Sequence, residues 1–357
     1  MKTTYLFLYT ELAAYTMACL TALKKQDPAA AIYVVHFPVN KEAPFVFDFS
    51  SIGTFRSIET FSSYREMEAY AVKIRPTKLI CCGWINKNYI RLSNRLKNSA
   101  TCILTLDNQL TRSWKQLVWK WSGALLLRHI FSFVWVPGQR QFSYALFLGF
   151  RKEQVLVDFY ACDTSFFSKV GAAALSAKAE AFPRVLLCVA RYIPVKAYEE
   201  LWDAFIQWQE TAPSEWELWC VGAGEGFANR VEHPKIKHLG FLQPAEMEPI
   251  LEKAGVFVLI SKFEPWGVVV HEMAAAGFPL LLSAEIGAGD SFLCRENGWM
   301  IASHQRADIV DAFKKIASTP VAELIKMGHK SQELAAAISP QTWANTLLGA
   351  GPRTINQ

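Results

Sequence analysis

The sequence predicts an α/β protein of two domains, each a parallel sheet flanked by helices. Three observations lead there. At 357 residues the chain is longer than one hydrophobic core usually serves. Short apolar runs alternate with amphipathic segments across residues 4–136 and again across 184–283, the pattern of strand–helix units that build a parallel sheet. The composition is 52% hydrophobic and 19% charged with 24 Phe, 12 Trp and 11 Tyr, which supplies large cores and excludes extended disorder.

In the first half, strands are expected at 4–8, 31–36, 78–82, 101–106 and 131–136, with a helix over 11–24. The strand ends carry polar or aromatic punctuation: Gly83-Trp84 after the third and Asp107-Asn108-Gln109 after the fourth. In the second half, strands are expected at 184–190, 216–221, 236–239, 256–261 and 280–283, with helices over 198–209 and 244–254. Ser339 and Pro340 read as the cap and first turn of a last helix, followed by a disordered tail. The change of domain falls near 167–183, where small residues dominate. This gives a first domain over 1–165, a second over 166–338, and a terminal helix and tail over 339–357.

Charge is uneven. Residues 1–165 hold 20 Lys and Arg against 11 Asp and Glu, a net +9, while the remainder is −4, so different partners are expected for each half. No apolar run reaches the ~18 residues that span a bilayer. The eight cysteines form no Cys-x-x-Cys and no zinc spacing; several sit in strand runs, as reduced core thiols do. A cytoplasmic location follows. Cations scattered among apolar strands match no nucleic-acid module. In 112–128, Trp114, Leu117, Val118, Trp121 and Leu125 recur at helical spacing among Lys115, Lys120 and Arg128. Such a stripe is ordinarily core-facing, with contact to an anionic membrane as the other reading.

The most informative stretch is 263–279. A continuous apolar strand leads into Glu264, Gly267 lets the backbone approach a ligand, and 268–276 can form about two and a half helical turns. Gly277 and Pro279 end it. Glu272 then lies one turn inside the helix, and two carboxylates flank free amides at a helix N-terminus, where phosphate binds. A Glu pair at this spacing alone is an ordinary solvated helix face; the strand, glycine and terminator around it argue for a nucleotide-sugar site. Arg191 and Lys196 follow the first strand of the second domain, a loop suited to a diphosphate. Gly222-Ala223-Gly224 follows another strand but lacks the long helix of a dinucleotide fingerprint.

Glu-x7-Glu followed by Ala-Ala-Gly-x-Pro resembles the signature of the family-4 retaining glycosyltransferases, which have the GT-B fold, two Rossmann-like domains facing each other across a cleft. Residues 190–197 are similar to the Gly-Arg-x4-Lys-Gly element of that family, with Ala190 and Ala197 in place of the glycines. The resemblance implies a hexose donor of UDP or GDP type. Arg191 and Lys196 would hold the phosphates, Glu264 donor-sugar hydroxyls and Glu272 the ribose. Trp266, Gly267, Val268, Val269, Gly222 and Leu242 would line the donor site. It also implies that no metal and no cofactor is needed, consistent with the lack of Asp-x-Asp. On the acceptor side Asp107, Asn108 and Trp84 are the candidates; the His that many relatives carry near Asp107 is not present. The expected product is a surface polysaccharide or lipopolysaccharide built on a saccharide or lipid-linked acceptor. The alternatives are a nucleotide-sugar epimerase of the same fold and a non-catalytic scaffold subunit.

Overall fold

A computed structural model of the protein describes residues 2–351. The side chains of Lys115, Trp121 and Ser122, and the tail expected after Gly351, lie outside the described residues. The chain divides into two compact units. Residues 2–40, 45–161 and 338–351 form the first, and 41–44 with 162–337 the second.

The first unit runs β1 (Thr4–Leu8), α1 (Ala14–Gln26), β2 (Ala31–His36), β3 (Thr54–Ser57), α2 (Tyr64–Ile74), β4 (Lys78–Cys82), α3 (Lys87–Leu96) and β5 (Thr101–Thr105). It continues with α4 (Trp114–Ser122), α5 (Ala124–Ile130), β6 (Phe133–Trp135), α6 (Gln139–Phe147) and β7 (Val155–Leu156). The strands order β3-β2-β1-β4-β5-β6-β7, all parallel. A central parallel strand is covered on both faces, and Tyr5, Leu6, Phe7 and Leu8 of β1 are fully buried. The helical run expected over 112–128 is two helices, broken at Gly123, whose Cα lies against the Trp119 ring.

The second unit begins with α7 (Thr164–Glu180) and β8 (Val185–Val189), then α8 (Tyr198–Thr211), β9 (Glu217–Val221), β10 (Ile236–Gly240), α9 (Glu248–Lys253) and β11 (Val256–Leu259). It closes with α10 (Val268–Ala275), β12 (Leu280–Ser283), α11 (Gly289–Phe292), β13 (Gly298–Ile301), α12 (Arg306–Ser318) and α13 (Val321–Ala335). The order is β10-β9-β8-β11-β12-β13, again parallel throughout. The small residues near 167–183, where the sequence suggests the change of domain, lie mostly in α7, and the second unit resumes at Cys162. They pack closely: a Cβ on Gly171 would stand 2.6 Å from the Ala276 backbone. The last helix, α14 (Pro340–Gly349), is capped by the Ser339 side chain and packs on α1 of the first unit. Its final carbonyls, Leu347 O and Leu348 O, accept from the buried Lys78 ammonium at 2.6 and 3.0 Å. No described helix is long and apolar enough to cross a membrane.

The topology of the second unit selects one position. From β8 the chain crosses through α8 to β9 on one side, whereas β11 pairs with the other side of β8. Connections therefore diverge outside the carboxyl ends of β8 and β11, the place where open α/β sheets bind ligands.

Candidate active site

Arg191 and Lys196 follow β8, and Glu264 follows β11, so the divergence point carries both. The loops are tied together by their backbones. Lys262 N–H donates to Val195 O at 2.8 Å, which joins the loop after β11 to the loop after β8. On the other side Ala190 N–H donates to Val221 O and Tyr192 N–H to Ala223 O, at 3.0 and 2.9 Å. Gly226 N–H donates back to Tyr192 O at 2.8 Å. Gly222 N–H reaches Gly240 O at 2.7 Å. Gly222 sits at φ +142°, and a Cβ there would stand 1.9 Å from Ala190 O, so the glycine is required by conformation and by space.

The loop over β11 is equally constrained. Glu264 forms a parallel bridge with Ile286, and Glu264 O and Trp266 O accept from Gly287 and Ala288 N–H at 3.0 and 2.9 Å. Gly267 turns the chain at φ +93°, and its Cα lies against the Glu264 side chain, where a Cβ would meet Glu264 Cγ at 3.0 Å. α10 then starts without a side-chain cap. Among the described residues the amides of Val268 and Val269 have no protein acceptor, as expected of a first helical turn.

The Lys196 ammonium pairs with the Glu264 carboxylate, both side chains about 14% exposed. Arg191 Nη1 meets Glu42 Oε2 at 3.4 Å. Each cation of the expected phosphate clamp is thus paired with a carboxylate of the same unit. A further pair joins Lys262 of the loop after β11 to Glu200 at the start of α8. Sequence reasoning found Arg191, Lys196 and Glu264 but not Glu42, Glu200 or Lys262. Glu42 is 149 residues from its partner and carries no local signal.

Glu272 lies on α10, partly buried, and no hydrogen bond or ion pair engages its carboxyl among the described residues. Desolvation pushes that carboxyl up to about 7. The preceding His271 is fully buried. It accepts from Cys162 N–H at Nδ1, Nε2 faces Ala335 O at 3.0 Å, and its ring stacks on Phe292, a structural role.

Trp266 does not present its ring to a ligand. Its side chain is 3% exposed and packs edge-on against Phe292, so only its backbone borders the loop. Val268, Val269 and Leu242 are partly exposed. In the first unit, Trp84 stacks on Trp119 at 5.8 Å and meets Tyr144 edge-on, which makes it part of an aromatic cluster. Asp107 and Asn108 are exposed at the end of β5, and Asp107 accepts from the Tyr160 hydroxyl at 3.2 Å.

A separate hollow of about 370 Å³ in the second unit is lined by Tyr192, Tyr198, Trp202, Glu225 and Lys262 among others. It includes neither Glu264 nor Glu272, so its size does not mark the clamp.

Comparison with known proteins agrees with this geometry. Residues 183–319 match the family model described as glycosyl transferases group 1. Glycogen synthase of Mycobacterium tuberculosis (strain H37Rv) is 31% identical over 108 residues, covering 30% of this chain and 26% of that protein. The chain thus spans about a quarter of the length of the curated relatives it matches. Anabaena HepE, solved in complex with UDP and glucose, shares the fold at a TM-score of 0.73 and 15% identity, over 96% of this chain and 98% of that one. Sucrose-phosphate synthase from Thermosynechococcus elongatus gives 0.68 and 15% over 97% of each chain. A glycosyltransferase from Rickettsia africae gives 0.70 and 12% over 97% of each. The fold is therefore the GT-B class expected from the sequence, with two Rossmann-like parallel-sheet units, and the group 1 pattern covers the segment that carries Arg191, Lys196, Glu264 and Glu272.

Proposed function

We propose that the protein is a retaining glycosyltransferase that moves a hexose from a UDP- or GDP-type sugar to a saccharide or lipid-linked acceptor, in cell-surface polysaccharide or lipopolysaccharide synthesis. The observation that carries this reading is the Lys196–Glu264 pair, with Arg191 in the same loop as Lys196, where the connections of the second sheet diverge. HepE, of the same fold, was solved with UDP-glucose, which supports a donor of this chemistry.

On this reading the donor diphosphate displaces the two internal carboxylates. Arg191 exchanges Glu42 for phosphate, and Lys196 leaves Glu264, whose oxygens then accept hydroxyls of the sugar. Each cation trades one charge-assisted partner for another, so the exchange costs little. Glu272 accepts the ribose hydroxyls. As the bond from C1 to the phosphate oxygen breaks, charge builds on the diphosphate. The two cations and the Val268 and Val269 amides stabilise it in place. The acceptor oxygen bonds C1 on the face the diphosphate leaves, and its proton passes to the departing phosphate oxygen, which retains the anomeric configuration. Asp107 and Asn108 are the acceptor-side candidates.

Release of nucleoside diphosphate from a set of UDP- and GDP-hexoses, with an acceptor saccharide and with a strong chelator, tests the reading. Arg191→Ala and Lys196→Ala should each lower turnover by roughly 10²–10³-fold with the melting temperature kept. Near-normal turnover in both, or chelator-sensitive activity restored by magnesium, would overturn the assignment. Conversion of the donor sugar without acceptor would identify an epimerase instead.

A further inference from the structure

The first unit carries exposed apolar residues on three neighbouring helices. On α4, Trp114, Leu117 and Val118 fall at spacings of three and four residues, one helix face, and are 70%, 46% and 57% exposed. On α5, Leu125 and Leu126 are 64% and 47% exposed, and Leu146 near the end of α6 is 41% exposed. These helices are neighbours. Lys120 Nζ of α4 stands 4.5 Å from the Phe147 ring centre of α6, and Arg128 of α5 donates to Gly149 O at 3.4 Å. The three helices are therefore adjacent and each carries exposed apolar residues, whereas Trp119, on the opposite side of α4, packs inward on Trp84. Of the stripe seen in the sequence, Trp114, Leu117, Val118 and Leu125 are exposed, not in the core.

The segment of chain that forms these helices carries charge of one sign. Between Asp107 and Glu153 the chain has no Asp or Glu, yet it holds seven Lys and Arg: Arg112, Lys115, Lys120, Arg128, Arg140, Arg151 and Lys152. A protein partner matched to a mixed surface needs no such exclusion of carboxylates. A sheet of anionic headgroups over an apolar layer does: cations meet the headgroups while Trp and Leu enter the boundary beneath them.

We infer that α4, α5 and the end of α6 form a docking surface for an anionic phospholipid membrane. The inference rests on the first unit alone and stands apart from the donor site. The full chain is sedimented with vesicles of phosphatidylcholine, with and without phosphatidylglycerol. Binding should be at least ~10-fold stronger on the anionic vesicles and should fall as salt rises. Leu117→Ser with Val118→Ser, and separately Arg112→Glu with Lys120→Glu, should each reduce that binding by about ten-fold or more at an unchanged melting temperature. Should either pair unfold the unit, Trp114→Ser, at the most exposed position, replaces it. Equal binding to both lipids, or binding unchanged in the folded variants, would overturn the inference. So would a wild-type dimer that the Leu117→Ser, Val118→Ser pair makes monomeric, since a second copy would then cover the face.

Discussion

Replacing Glu272 by Gln separates what that carboxyl costs the fold from what it gives a ligand. The group is partly buried and has no hydrogen-bond or ion-pair partner among the described residues, and burial moves its titration from 4.5 to about 7. A rise of that size corresponds to about 3 kcal/mol against the ionised form. The sign follows from proton counting. Between about pH 4.5 and 7 the folded state holds a proton that the unfolded state has released, so stability falls as pH rises through this window and the full penalty stands above it. Glu272→Gln removes the penalty. It should stabilise the second unit by about 3 kcal/mol at pH 8 and by little at pH 5. For a unit of this size that is a rise in melting temperature of roughly 6–12 °C at pH 8, read by scanning calorimetry at both pH values. Donor binding should move the opposite way, because ribose hydroxyls donate best to an ionised acceptor. The variant should therefore bind a UDP- or GDP-sugar more weakly at pH 8, whichever nucleotide the protein prefers. A variant no more stable than wild type at pH 8, or one stabilised more at pH 5, would refute the reasoning about burial. Stabilisation with unchanged donor affinity would refute the ribose assignment.

Two further outcomes follow. Glu42→Gln frees Arg191 from an exposed pair, which contributes about 0–1 kcal/mol to stability. The melting temperature should hardly change while the affinity for a nucleotide sugar, measured by titration calorimetry, rises a few-fold; weaker binding would contradict the proposed exchange of partners. Lys178 of α7 is 1% exposed, its ammonium has no hydrogen-bond partner among the described residues and lies 3.8 Å from the Phe278 ring centre, and burial pushes its titration down to about 7. The unfolded state therefore binds the extra proton between about pH 7 and 10.5, and stability rises with pH across that range. Lys178→Met should stabilise by a few kcal/mol at pH 6 and much less at pH 10; an equal effect at both would count against the burial argument.

Part of this account was legible in the sequence because it rests on local chemistry. The Gly267 turn, the helix after it and its end at Gly277 need only residues in line, and α10 runs as expected with Gly277 at φ +75°. Ser339 and Pro340 likewise specify the start of α14 by themselves. The misread segments depend on long-range packing. The alanines and Gly171 of 167–183 gave no helix to read because small side chains carry little pattern, yet they let α7 approach α10 closely. Trp266 stands beside a ligand-type glycine, but the fold turns its ring onto Phe292. The edge strands β3 and β7 are four and two residues long, too short for periodicity to register. Glu42 became part of the site only through a contact that joins distant parts of the sequence.

The claim beneath all of this is that Arg191 and Lys196 hold the diphosphate of an activated sugar at the diverging strand ends of the second unit. Titration calorimetry with a UDP-sugar and a GDP-sugar, on wild type, Arg191→Ala and Lys196→Ala, addresses it directly. The account predicts binding of at least one donor by the wild type, and a loss of about ten-fold or more in each variant, the lower end of what a charge-assisted hydrogen bond of 1.5–3 kcal/mol contributes. Binding of neither donor by the wild type, or wild-type affinity in both variants, would contradict it.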